Sequence, residues 1–223
     1  MYERGQGGLL KSSDEAASWY EKAAETNAPN AMYNLGVYRQ DLFFDKIDPD
    51  KNGKLAKEWF EKAAAAGNVE ARYQLALSYK RGMGTPVSIE SYVAELKKAA
   101  DSGSTDALKQ MGYYFNNGEF LPKDEAKGRA AYQRAVDLGD KTALSSLGVM
   151  KVMGTGGPKD VADGKKLIES AASEGEISAL STMAKGYHYG YFGKVDLAEA
   201  KRFYRKAADL GDTESFEKLK EFK

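Results

Sequence analysis

The segment WYEKAAETN, Trp19 to Asn27, returns five more times along the chain. Its second alanine, Ala24, aligns with Ala64, Ala100, Val136, Ala172 and Ala208, in steps of 40, 36, 36, 36 and 36 residues. A fixed period of this size marks a repeat solenoid: one supersecondary unit cannot bury its apolar face alone, so copies stack to cover one another. Within the segment, Trp19, Tyr20, Ala23 and Ala24 fall at i, i+1, i+4 and i+5, an apolar helical face. This helix, here called helix B, is expected over 13–26. Asp14 and Glu15 lie in its first turn, where the positive end of the helix favours them. Successive copies end on Asn27, Gly67, Gly103, Gly139, Gly175 and Gly211. These residue types enter a left-handed C-cap with least strain.

A second helix, helix A, follows each copy within one or two residues. It reads NAMYNLGVY at 30–38, then VEARYQLALSY, TDALKQMGYYF, KTALSSLGVM and ISALSTMAKGY. Small residues recur at Ala31, Ala71, Ala107, Ala143 and Ala179, and again at Gly36, Ala76, Gly112, Gly148 and Ala184. Leu35, Leu75, Met111, Leu147 and Met183 precede the second set. Glycine inside a helix costs about 1 kcal/mol relative to alanine. Its recurrence predicts two helices crossing too closely for a Cβ.

Residues 1–12 read as the tail of an earlier repeat, because Tyr2, Gly5 and Gly7 nearly repeat the spacing of Tyr79, Gly82 and Gly84. The expectation is that sequence upstream of Met1, with or without a leader, has been removed. The compartment stays open: cytoplasmic as written, periplasmic or secreted if a leader was lost. At the other end, DTESFEKLKEFK (212–223) starts as a helix A but places Ser215 and Lys220 at the two small positions. It reads as a C-terminal cap on a single domain, 1–223.

Lys and Arg number 33, as do Asp and Glu, so the net charge is zero. That argues against nucleic acid as partner, which needs a basic footprint. No apolar run approaches a membrane span. The 223 residues contain no cysteine, which excludes disulfides and thiolate chemistry.

The pattern A-x-x-x-L-G-x-x-Y-x-x-G-x-G is carried most clearly by Ala71–Gly84. Its partner D-x-x-x-A-x-x-W/F-Y-x-K-A-A-x-x-G is carried by Leu55–Gly67. Together, at 36 residues, they resemble the Sel-1-like repeat (SLR) family, relatives of the tetratricopeptide repeat, bacterial members included. The resemblance covers essentially the whole chain. It implies an all-α, right-handed α/α superhelical solenoid of about five helix pairs with half-repeats at both ends. The pattern has departures: Glu95 and Ala131 replace the Trp, and Gly128 and Gly164 replace the helix B Ala.

Several motifs touch on chemistry. GMGTP (82–86) and GTGGPKD (154–160) lack the preceding strand and the Lys-Ser/Thr of a phosphate loop, and the repeat register explains them as A-to-B turns. In DPDKNGKLAKEW (48–59), Asp48, Asp50, Asn52 and Gly53 match the start of an EF-hand loop, but Trp59 stands where a bidentate Glu belongs. The alternative is a long polar turn at the single four-residue insertion, leaving calcium an open question there. One histidine, His188, and no Cys cannot build a His-based metal site or a thiol nucleophile. Ser215-x-x-Lys218 and Thr182-x-x-Lys185 echo a serine β-lactamase spacing without its companion elements. No cofactor, metal or catalytic residue is expected.

The resemblance to tetratricopeptide-like superhelices implies that helix A lines an inner groove. Counted from the core Leu or Met, positions two before, two after, five after and six after should face it. The selected residues are Tyr33, Val37, Gln40, Tyr73, Leu77, Lys80, Arg81, Lys109, Tyr113, Asn116, Asn117, Lys185, His188 and Tyr189. Tyr and Arg anchor protein interfaces, and Asn can hold an extended peptide by its amides. The expectation is a non-catalytic, monomeric scaffold that takes a peptide or folded partner in this groove. An immunity or inhibitor protein is the alternative, and a β-lactamase-like hydrolase the disfavoured one.

Overall fold

The computed structural model describes residues 13–222 and holds twelve α-helices, with no strand among the described residues. Helix B recurs as α1 (Ser13–Ala24), α3 (Pro49–Ala65), α5 (Ile89–Asp101), α7 (Glu125–Asp137), α9 (Val161–Ser173) and α11 (Leu197–Asp209). Helix A recurs as α2 (Pro29–Phe44), α4 (Val69–Arg81), α6 (Thr105–Asn117), α8 (Ala143–Met153), α10 (Ile177–His188) and α12 (Thr213–Leu219). The reading of residues 1–12 as an earlier repeat's tail lies outside the described residues.

Each B helix ends as its sequence requires. Asn27, Gly67, Gly103, Gly139, Gly175 and Gly211 all have positive φ, between 57° and 99°. Their amides bond back into the last turn, so the chain reverses at once into the next helix A. Six starts are capped too: Asn68, Ser88, Asp124, Asp160, Asp196 and Asp212 each accept a backbone N–H two or three residues on.

The recurring helix A glycine is a crossing point. A Cβ on Gly148 would lie 2.6 Å from Ile168 Cγ1 and 2.7 Å from the Gly164 carbonyl. A Cβ on Gly112 would lie 2.8 Å from the Tyr132 ring, and one on Gly36 2.5 Å from the Phe60 ring. The B-helix residues met here (Phe60, Tyr132, Ile168) recur in register with Leu96 and Tyr204, and all five are buried. Phe60 belongs to one core cluster, and Ile168 and Tyr204 to another.

The tryptophan of the opening motif behaves differently from its neighbours. Trp19 is 56% exposed and Trp59 half-buried, while the adjacent Phe60 is fully buried. The Trp position marks the edge of the buried stripe. Lys22 and Lys62, one turn on, cover the two rings at 4.7 and 4.3 Å.

The stretch 48–59 is neither an EF-hand loop nor a long polar turn. It is the N-terminal part of α3, a helix from Pro49 onward. Around a helix, Asp50 lies on the side opposite Asn52, so Asp48, Asp50 and Asn52 cannot converge on one ion. Asn52 is buried instead. Its amide donates to the Ile47 carbonyl at 2.6 Å and accepts from Arg39 at 3.3 Å. Gly53 lies against the Gly84 amide, near enough that a Cβ would come within 2.9 Å. Tertiary contacts thus override the turn propensity of Asn-Gly.

By internal contacts the chain divides into two compact units, one ending at Ala107 and one starting at Leu108. The first has a core around Leu35, Phe60, Ala71 and Met83. The second has a core around Ile168, Met183, Phe203 and Tyr204. Within each, consecutive helices pack, and neighbouring A helices also touch, α2 with α4 and α8 with α10.

Candidate functional site

The helix A positions singled out in the sequence have different surroundings in the two units. In the first, Tyr33 and Val37 are half-buried and pack on the core, with the Tyr33 ring 6.1 Å from Phe60. Burial, then the nearby Glu70 carboxylate, raises the Tyr33 phenol above its ordinary range. Gln40 is buried rather than groove-facing, and donates to Gln74 at 3.3 Å. Tyr73, Leu77 and Lys80 are half-buried, with the Lys80 ammonium 5.2 Å from the Tyr92 ring. Arg81 is exposed and stacks its guanidinium 5.4 Å from the Phe44 ring.

In the second unit, Lys109 is held by Asp140 at 2.9 Å and by Thr142 at 2.7 Å. Asn116 is half-buried, donates to Met150 Sδ at 3.3 Å and packs its carbonyl against Gly128. Asn117 is exposed but turns back to its own helix, donating to the Tyr113 carbonyl at 2.8 Å. Tyr113 is 47% exposed and Tyr189 48%. His188 is half-buried, stacked on Tyr189 at 4.5 Å, with Nδ1 3.2 Å from the Tyr204 hydroxyl. Lys185 reaches Glu214 of α12 at 2.9 Å.

The same register contains residues that sequence reasoning placed on this face but did not select. Val149 and Met153 of α8 lie two and six after Leu147, and Met153 is more than half exposed. They open a cleft of about 230 Å³ with Val152, Ile168, Tyr191 and Phe192, rimmed by Thr182 and Lys185. Its origin lies in α10. Three residues after the core Leu or Met, the A helices carry Tyr38, Ser78, Tyr114, Met150 and Gly186. Tyr114 and Met150 are buried and fill that space. Gly186 does not, and a Cβ there would overlap the Phe192 ring. The readable signal was a glycine in a column otherwise occupied by larger residues.

The Ser/Thr-x-x-Lys spacings do not assemble a nucleophile. Ser215 is fully buried and its Oγ has no hydrogen-bond partner. Lys218 is engaged by Glu221 at 2.8 Å, the hydrogen bond that raises its pKa. Thr182 Oγ1 donates to the Ser178 carbonyl at 2.7 Å, and Lys185 is the partner of Glu214. Among the described residues no three His, Cys, Asp or Glu side chains converge as metal ligands, and no helix is long and apolar enough to cross a membrane.

A Sel1 repeat model matches the chain six times, over residues 1–26, 29–68, 69–91, 105–140, 142–176 and 178–212. The one sizeable gap, 92–104, begins at Tyr92, a buried aromatic ring at the small helix B position, and includes Glu95. A Sel1 repeat protein of known structure from Oxalobacter formigenes is 27% identical, with a TM-score of 0.77, over 94% of this chain and 84% of its own. A protective antigen of uropathogenic Escherichia coli displaying an SLR fold is 25% identical, with a TM-score of 0.78. That alignment covers 98% of this chain and 46% of the antigen, so the chain spans about half its length. An immunity protein from Pseudomonas aeruginosa shares the fold at 18% identity and a TM-score of 0.52, over 91% of this chain and 76% of its own.

Proposed function

The chain belongs to the Sel1 repeat family, and from that premise we propose that it is a non-catalytic scaffold that holds a peptide or folded protein on its helix A face. Repeats of this family generally mediate protein–protein interaction. The observation that carries the reading is the exposure of Tyr113, Val149 and Met153 on two successive A helices, and of Tyr189 at the C-cap of the next, all in one unit. They share two register positions, so the repeat aligns them on one side. Exposed aromatics and methionine at such positions are typical of interfaces, where they supply contact area at low entropic cost. The burial of Ser215 and the engagement of the Lys218 and Thr182 side chains support the non-catalytic part. An inhibitor or immunity role is the narrower form of this reading, and the likeness to the Pseudomonas immunity protein supports it only at the level of fold.

The test is a peptide-display selection against the whole chain, followed by calorimetry on the enriched peptides. Replacing Tyr113 and Tyr189 together by Ala should weaken binding roughly tenfold or more, as loss of two anchors does. Peptides that bind the double variant as tightly as the parent would place the interface elsewhere.

A further inference from the structure

We propose that the cleft between α8, α9 and α10 accepts one aromatic or branched aliphatic side chain of a partner peptide, and that an acidic neighbour of that side chain pairs with Lys185. This rests on the binding-face reading and narrows it to a partner chemistry.

The cleft exists because α10 carries Gly186 where α6 and α8 carry the buried Tyr114 and Met150. Phe192 moves into part of that space, and about 230 Å³ stays open. A dry cavity of about 150 Å³ holds a benzene ring, so the room suffices for one large apolar side chain. Met153 is 55% and Tyr191 47% exposed, which leaves apolar wall in contact with water in the free protein. Covering that wall is the favourable term.

The charge on the rim selects the neighbour. Lys185 is the charged residue of the lining, and it is a cation. Its counter-ion, Glu214, reaches in at 2.9 Å from a side chain that is 58% exposed. An exposed pair of this kind contributes little, because water competes for both ions. An incoming carboxylate can therefore take the ammonium from Glu214 at small cost. It would do so beside an apolar wall, where the attraction is less screened.

The probe pair is 4-phenylbutyrate and its uncharged amide, titrated into the ¹⁵N-labelled whole chain and read by amide shifts. Both should move the amides of Thr182 and Gly186, with the acid binding roughly threefold tighter, as expected of an exposed ion pair. Lys185→Met should bring acid and amide to equal affinity. Val149→Trp should plug the cleft and remove both sets of shifts while helical circular dichroism is retained. If that variant loses its helix signal, the Lys185→Met comparison decides by itself. Absence of shifts at Thr182 and Gly186 with both probes would overturn the cleft as a side-chain site. Equal affinity of acid and amide for the parent would overturn the acidic neighbour. Neither result touches the broader binding face, whose test reads Tyr113 and Tyr189 instead.

Discussion

In the unit that ends at Ala107, the register positions of helix A are held by their neighbours: Tyr33 against Phe60, Gln40 with Gln74, Lys80 over the Tyr92 ring. In the unit that starts at Leu108, equivalent positions present Tyr113, Val149, Met153 and Tyr189, each more than a third exposed. The contrast begins inside the helices. The first unit has two glycines within helices, Gly36 and Gly53, and the second has five, Gly112, Gly128, Gly148, Gly164 and Gly186. Gly148 and Gly164 bring two backbones together, each blocking a Cβ on the other with its carbonyl. At Gly36 the obstacle is only the edge of the Phe60 ring. Backbone cannot step aside and a ring can shift, so Gly148 and Gly164 are less tolerant of an added side chain than Gly36. Gly186 meets the Phe192 ring instead and lines the cleft.

The largest expected effect breaks this contrast at its root. Gly148→Leu should destabilise the second unit by about 3 kcal/mol, the upper range for overpacking a close contact. Gly36→Ala should come out near neutral, because the helix-propensity gain of about 1 kcal/mol offsets a small ring displacement. Urea denaturation of both variants checks the pair. Equal losses would show that ring and backbone obstruct alike.

A second experiment uses pH. Burial, then the neighbouring Tyr189, Glu214, Glu221 and Tyr191, pushes the Tyr204 phenol up to about 12. An acid whose pKa is higher folded than unfolded favours its neutral form in the fold. The stability it lends is complete below about pH 10, its unfolded value, and is lost as pH rises through about 12. Parent stability should therefore fall more steeply than that of Tyr204→Phe between these limits. Parallel curves would mean that ionisation of Tyr204 is not resisted by its surroundings.

The smallest effect has the opposite sign. Ser215 stands where the other A helices have Ala31, Ala71, Ala107, Ala143 and Ala179, and its buried hydroxyl has no partner. Ser215→Ala should raise stability by about 1 kcal/mol, the cost of an unsatisfied buried polar group at the low end. A lower thermal midpoint would show that the hydroxyl is satisfied in solution.

The repeat makes most of the fold legible in the sequence. The period places each helix pair, the Asn/Gly series places the reversals, and Gly148 announces its crossing. Two local readings fail for one reason: they judge a segment by its own propensities. Asp48 to Trp59 carries turn residues, yet the Asn52 and Gly53 contacts hold it in a helix. Trp19 has the residue type of a core and lies at the edge of the stripe. The candidate face is half legible. Register names the positions, but it does not show that Gln40 and Val152 are buried at the same position where Lys80, Asn116 and His188 are not fully enclosed. The cleft needs two residues read together, Gly186 and Phe192, and only packing joins them.

The four-residue insertion in the first full repeat has a further meaning. It was taken up around the turn: α2 has 16 residues and α3 has 17, against 13 in α4 and α5, while the connection shortens from 82–88 to 45–48. The additions lie at the two helix ends beside the turn, three residues on α2 and four on α3, so the phase of the buried stripe is unchanged. Helix pairs of this architecture therefore have an arithmetic of growth. They can lengthen at the ends beside the turn while keeping the same residues turned inward, whereas an insertion of two inside a helix would rotate the inner face towards water. A scaffold built this way can widen one part of its surface without rewriting its core, and the first full repeat records one such step.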